Sequence, residues 1–520
     1  MYKRALSARN FVNDKIQNNE YDKNHAMNKF SLIAASVIRK LSNFAFAEDG
    51  SIKAKVLRSG IWVGASKVFL TLLSLVRSVV LARLLSPDAF GLMGLAGIAI
   101  RAIETFTRPG ISQALIQRQD DFDKARDTAF TLLLLRGFLL ALLVAALAPF
   151  ISSYYENETL ESMLEVLAIV FIIDGLTNIN TINKMKELNF RRISYIEQLT
   201  EFLSTIIVIF TAYILRSVWA LVIGQLVSSS LKALLSYYLI EGKPRIRFNW
   251  KIAKELLSYG KFITASSIVI FVATEIDTAV IGKIMGTEKL GYYVLAFTFA
   301  DLATSSISKL ISSIMLPAYS KLQADKAALK KAYLTTLKFV CLITLPVMVG
   351  VVLTADLIIN TVFGEKWYLS VTPLQILIVF GFIRSLTSIN GYLFEGIGKP
   401  KIAFKISLLR LAILVPLIVP ITKAYGLDGV AVLITIGIAV QWIISIFVLR
   451  KHIFTSIKDI ALAIYPAFWR SVLMGALVVF ATQYFDEIHL LNMIIVVSIG
   501  VVSYGILSAQ LLLKISNIKQ

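Results

Sequence analysis

From residue 56 onward the chain alternates apolar runs of about 20 residues, the length a helix needs to cross a bilayer, with short polar breaks. Fourteen runs are expected, near 57–82, 89–115, 128–149, 160–180, 196–215, 218–240, 258–282, 289–314, 334–355, 370–393, 402–422, 428–449, 467–484 and 490–513. Residues 429–449 and 490–513 carry no Asp, Glu, Lys or Arg, whereas charges interrupt 57–82, 89–115 and 258–282. The pattern predicts an all-α polytopic membrane protein. Residues 1–55 differ: they are polar and mostly basic, without the apolar core of a cleavable signal peptide. Within them, 27–44 predicts a short amphipathic helix with Phe30, Ile33, Val37 and Leu41 on one face, suited to an anionic membrane surface.

Composition agrees. Of 520 residues, 57% are apolar and 17% charged, against roughly 25% charged in soluble domains. Too few polar residues are present to cover the surface of a soluble enzyme of this length. The net charge of +20 would suit nucleic acid if clustered, but its placement points elsewhere. Alternate loops hold 24 Lys and Arg, as in Lys184, Lys186, Arg191 and Arg192, and the opposite loops hold six: Arg83, Arg216, Lys283, Lys289, Lys366 and Lys423. Such a bias puts both termini in the cytoplasm and the basic loops against lipid headgroups. It implies no nucleic-acid partner.

The chain also repeats itself at an offset of 200. Residues 60–96 align without a gap to 260–296: Gly60/Gly260, Ala65/Ala265, Ser66/Ser266, Val80/Val280, Gly91/Gly291 and Ala96/Ala296 are identical, and Arg83/Lys283 and Asp88/Glu288 keep their charge. SVWALVIGQL from Ser217 is echoed by DGVAVLITIG from Asp428. The expected organisation is a basic extension at 1–55, a six-helix bundle at 56–240, a basic linker at 241–257, a second six-helix bundle at 258–450, and two further helices in 451–520. An even number of spans per bundle gives both the same orientation, the arrangement of parallel-repeat transporters.

VVLARLLSPDAFGLMGLA, SVWALVIGQL and the plan of two bundles plus two helices resemble the polysaccharide transporter family of the multidrug/oligosaccharidyl-lipid/polysaccharide exporter superfamily. The resemblance covers residues from about 51 to the C-terminus. It implies a bacterial inner-membrane flippase of the lipopolysaccharide and exopolysaccharide (Wzx-type) branch. Such proteins move undecaprenyl-diphosphate-linked oligosaccharide repeat units from the cytoplasmic to the periplasmic leaflet by alternating access. The implied partners are that lipid-linked substrate and the membrane, with a polysaccharide polymerase and chain-length machinery beside it.

Ionisable residues at membrane depth normally face protein or a cavity. Arg101, Thr105, Arg108 and Ser112 fall on one helical face of the second span, and Asp301 occupies the position of Arg101 in the repeat. Arg77 corresponds to Asp277, with Glu275 nearby. Arginines suit the diphosphate because a guanidinium presents a planar fork of donors, so Arg77, Arg101, Arg108 and Arg384 are candidate substrate contacts, with Arg410 a further candidate. Glu275, Asp277 and Asp301 are candidates to take a coupling H+ or Na+. The competing reading pairs these charges statically: Arg101 or Arg108 with Glu104, and Arg77 with an acid on a neighbouring helix.

Two other functions compete. A cation-coupled multidrug exporter of the related multidrug-and-toxin-extrusion branch would need an acidic cavity. A polymerase or ligase of the same pathway would need a large outer loop, and every outer loop here is short. The single cysteine excludes an internal disulfide. Three scattered histidines and the lack of phosphate-loop, nucleophile-elbow or zinc-protease motifs point to no enzyme, no metal and no cofactor.

Overall fold

The computed structural model describes residues 52–107, 110–117, 122–187, 189–484 and 490–517. The expected amphipathic helix at 27–44, and Arg108, lie outside them. Among the described residues the chain is helical throughout, without a strand: α1 (Ile52–Leu84), α2 (Pro87–Phe106), α3 (Ile111–Gln117), α4 (Phe122–Tyr155), α5 (Glu158–Gly175), α6 (Asn180–Lys186), α7 (Phe190–Leu215), α8 (Trp219–Leu239), α9 (Trp250–Leu322), α10 (Lys326–Ile358), α11 (Val371–Gly396), α12 (Pro400–Ile453), α13 (Ile457–Tyr484) and α14 (Leu490–Asn517). Among the described residues, nine segments are long and apolar enough to cross a membrane, or ten if α5 and α6, bent by 59°, form one broken span. The protein is an all-helical multi-pass membrane protein.

Local chemistry sets the ends and breaks. Ser86 caps α2 by accepting from the Ala89 amide at 3.3 Å, with Pro87 at the first helical position and Asp88 in the first turn. Asn249 and Asp325 cap α9 and α10 in the same way. α9 and α12 each fold back at one glycine, Gly286 (φ 82°) and Gly426 (φ 62°), a conformation open to glycine but strained for other residues. The expected second span is cut short: α2 stops at Phe106, before Pro109 and Gly110 (φ 62°), because proline disfavours helix in the residue before it. Thr105 therefore continues the face of Arg101, one turn on in α2, whereas Ser112 belongs to a separate helix, α3.

The largest apolar cluster spans both repeats, joining residues such as Leu92 and Leu95 of α2 to Leu290 and Leu295 of α9. At the end of the bundle bearing Trp367, the repeats also exchange polar contacts. Arg83, at the end of α1, donates to the carbonyls of Val362 (2.8 Å) and Thr361. Lys366 donates back to the carbonyls of Arg83 (3.0 Å) and Leu85 (2.8 Å), and the fully buried Trp367 indole donates to Ala82 O at 2.8 Å. Lys283, 200 residues after Arg83, meets Glu156 at 2.7 Å, and Tyr155 donates to Ala279 O at 3.4 Å. The Arg83, Lys366 and Trp367 contacts cover helix-terminal carbonyls, which lack a partner within their own helix.

At the opposite end the linker is pinned to the first repeat. The Arg245 amide donates to Asp127 at 3.1 Å, Arg247 exchanges two hydrogen bonds with Thr131, and Asn178 and Asn180 each donate to Gly242 O at 2.9 Å. Ile252 and Leu256, in the first turns of α9, pack with Ile111, Leu115 and Phe130. The start of α9 thus packs on the first repeat.

Candidate functional site

A cavity of 610 Å³ lies between the repeats, walled by α1, α2, α7 and α8 on one side and by both arms of α9 on the other. It brings together Arg77, Arg101, Glu275 and Asp301 from the sequence-derived candidates, and adds Glu201. Three ion pairs organise it. Arg77 Nη1 lies 2.6 Å from Glu201 Oε1, joining α1 to α7. Arg101 grips Glu275 with both prongs of its guanidinium, Nε to Oε1 at 3.0 Å and Nη2 to Oε2 at 2.8 Å, and so ties α2 to α9. Asp301 pairs with Arg384 of α11. Arg101–Glu275 alone crosses between the repeats; Arg77–Glu201 closes within the first and Asp301–Arg384 within the second.

Asp277 stands apart from this set. It is 3% exposed and accepts from the Tyr293 hydroxyl at 2.5 Å and the Thr278 amide at 2.8 Å. Among the described residues it forms no ion pair, and the buried arginine of this region is Arg410 of α12. Arg410 is itself 8% exposed and donates to Ala273 O at 3.4 Å. Arg384 and Arg410 both stack on the Phe380 ring, at 5.5 and 5.8 Å from its centre.

Every charge among the described residues of the cavity wall is matched, yet the matches are exchangeable. Arg101 is half-exposed to the cavity and Arg77 about a third. A phosphate oxygen can therefore replace a carboxylate oxygen on either guanidinium at little desolvation cost. The serine and threonine hydroxyls between them, such as Ser78, Ser204 and Thr298, add neutral donors. The arrangement suits a large, flexible anion with polar groups along its length, and the described residues of the wall offer no aligned nucleophile and base.

Sequence reasoning missed Glu201 and Tyr293. Glu201 carried a legible signal, since a lone carboxylate in an apolar helix calls for a cation at the same depth. Tyr293 carried none, because a tyrosine in an apolar run reads as packing. Glu104 does not hold Arg101; the partner is Glu275, 174 residues away.

A family profile described as "Polysaccharide biosynthesis protein" matches residues 80–372. The teichuronic acid biosynthesis protein TuaB of Bacillus subtilis (strain 168) is 26% identical over 68% of this chain and 74% of its own length. The lipopolysaccharide biosynthesis protein WzxC of Escherichia coli (strain K12) is 26% identical over 81% of this chain and 86% of its own. Among solved structures, the lipid II flippase MurJ in an inward closed conformation superimposes with a TM-score of 0.73 at 18% identity, covering 87% of this chain and 98% of the other. That likeness is one of fold.

Proposed function

The chain belongs to the polysaccharide biosynthesis protein family, and from that premise we propose that it is a flippase for undecaprenyl-diphosphate-linked oligosaccharide repeat units, not an enzyme. The observation that carries the mechanism is the central cavity with its exchangeable pairs, Arg77–Glu201 and Arg101–Glu275. On loading, the diphosphate takes the guanidinium forks of Arg101 and Arg77. Arg108 and Arg384 are the further contacts of this proposal. The displaced Glu275, together with Asp301, then takes up H+ or Na+, and the buried Asp277 responds through Tyr293 and Arg410. Loss of the Arg101–Glu275 tie between α2 and α9 frees the repeats to reorient.

The topology of this proposal has fourteen crossings, with α9 and α12 each crossing twice. Residues 56–240 and 258–450 form the moving bundles, linked by 241–257 and followed by the two helices of 451–520. Both termini and the linker face the cytoplasm, the Trp367 end faces the periplasm, and the membrane is the bacterial inner membrane. A polysaccharide polymerase and chain-length machinery are the partners downstream. A multidrug exporter for cations is disfavoured by the same geometry: Glu201, Glu275 and Asp301 each already hold an arginine, so every acid of the described wall is engaged before a cationic drug arrives.

The test is complementation of surface polysaccharide in a flippase-null host, with membrane abundance measured in parallel. Arg101→Ala is expected to lower apparent substrate affinity on the order of ten- to a hundredfold, the loss of a hydrogen bond to a charged group. Arg101→Lys recovers part of it, since lysine keeps the charge and loses the fork. Full polysaccharide from Arg101→Ala and Arg77→Ala at normal abundance would place the phosphate site elsewhere.

A further inference from the structure

A second cavity, of 450 Å³, lies wholly within the second repeat, between the first arm of α9, α11 and α12. Among the described residues, only Thr274 lines both this cavity and the central one. Both volumes fall within the roughly 300–1,000 Å³ of small-molecule sites.

Its chemistry is unlike that of a packing void, which in a membrane helix bundle would be apolar. Thr387, Ser388, Ser407, Arg410 and Gln441 project into it. Arg410 is more than nine-tenths buried, and its Nε has no hydrogen-bond partner among the described residues. Oε1 of Gln441 is likewise buried and unpartnered there, although its Nε2 donates to Ser407 at 3.2 Å. One unmet donor and one unmet acceptor therefore belong to residues in the wall of the same space. Leaving them unmet is costly away from water, so their complement is expected in a ligand.

The pairing identifies the ligand class. A phosphate only accepts and cannot satisfy Gln441 Oε1. A cationic drug only donates and would meet Arg384 and Arg410. A sugar hydroxyl both donates and accepts, and the rings of Tyr392 and Phe404 in the same wall offer apolar faces to a pyranose. The two cavities meet at one ion pair: Asp301 lines the first, and its partner Arg384 lines the second.

We propose that the second cavity is a saccharide subsite, which receives the sugars distal to the diphosphate while the diphosphate stays in the central cavity, and that Arg384–Asp301 is the partition between the two. The proposal rests on the flippase reading above. It makes the second repeat the part of the protein that measures glycan length and identity.

The experiment uses the full-length protein in proteoliposomes with two probes, polyprenyl diphosphate bearing a single N-acetylhexosamine and the same lipid bearing a tetrasaccharide. Ala403→Phe narrows the second cavity without removing a polar group. Gln441→Ala removes the acceptor without filling space. Both are expected to weaken handling of the tetrasaccharide lipid by about tenfold, the scale of one buried hydrogen bond or a displaced contact, while the one-sugar lipid is transported as in the parent. Equal losses with both probes, or no loss with either, would overturn the subsite. Parent protein that moves neither lipid would instead overturn the flippase reading itself.

Discussion

Gly91 and Gly291 stand in the same relationship to each other's helix. A Cβ on Gly91 would fall on the carbonyl of Thr287, and a Cβ on Gly291 on the carbonyl of Pro87. Thr287 is the counterpart of Pro87 at the offset of 200 residues, so the contact is reciprocal. It lets the starts of α2 and the second arm of α9 touch backbone to backbone, with Asp88 accepting from the Thr287 hydroxyl beside it.

Substituting either glycine should wedge the Trp367 end apart. Gly91→Ala is expected to cost about 1–3 kcal/mol in the closed state, the range for overpacking. Cys341 is the only cysteine and is buried, so an introduced Ser78→Cys in the cavity wall reports alone. Gly91→Ala should raise its labelling by a membrane-impermeant maleimide applied to the periplasmic face. Unchanged labelling would mean that the contact does not hold that end shut.

The exchange between Trp367 and the end of α1 should contribute separately. Trp367→Phe loses the hydrogen bond to Ala82 O and part of the indole's volume, about 1–3 kcal/mol. Trp367→Ala also empties a fully buried site, for about 3–5 kcal/mol. Thermal unfolding of the purified protein should rank parent, Phe and Ala in that order. Equal melting temperatures for Phe and Ala would show that the ring's packing against Phe90, at 5.1 Å, contributes nothing.

Reversing the Arg101–Glu275 pair separates structure from transport. Arg101→Ala alone leaves Glu275 unpaired and should lower abundance as well as activity, because an isolated charge at that depth is costly. Arg101→Glu combined with Glu275→Arg restores the pair and should restore abundance. It moves the fork to the opposite wall, so transport should stay at least about tenfold down, the equivalent of about 1.4 kcal/mol. Recovery of transport by the double variant would make the pair purely structural.

The Glu156–Lys283 contact gives the Trp367 end a pH dependence. The hydrogen bond and charge of Lys283 hold the Glu156 carboxyl below its ordinary value of 4.5. A lowered carboxylate stabilises the folded state above that ordinary value, and the contribution disappears as pH falls through the lowered one. Melting temperatures of the parent and Glu156→Gln should differ slightly at neutral pH and converge on acidification. A gap that widens toward acid would reverse the sign and exclude the pair as its cause.

Some of this site is legible in the order of residues. Arg77, Arg101, Glu275 and Asp301 are readable because charges in apolar helices are conspicuous, and the offset of 200 by itself matches Arg101 with Asp301. Their ion-pair partners are not readable. Glu275 approaches Arg101 only because α9 packs along α2, and Arg384 approaches Asp301 only because α11 lies beside α9; both are contacts between segments far apart in the chain.

Hydropathy and turn chemistry by themselves determined that the chain is a stack of membrane-length helices, since bilayer thickness and backbone satisfaction leave a chain of this composition little else. The offset of 200 also singled out Gly91 and Gly291, the two glycines that meet at the contact of α2 with α9. Tertiary structure alone decided that the cavity's charges are neutralised in pairs, that Asp277 is walled off with Tyr293 and Arg410, and that a polar chamber lies behind Arg384. The reason is range. Periodicity and caps act over a few residues, whereas pairing and cavity formation depend on which helices become neighbours, and that is set by packing across the whole bundle.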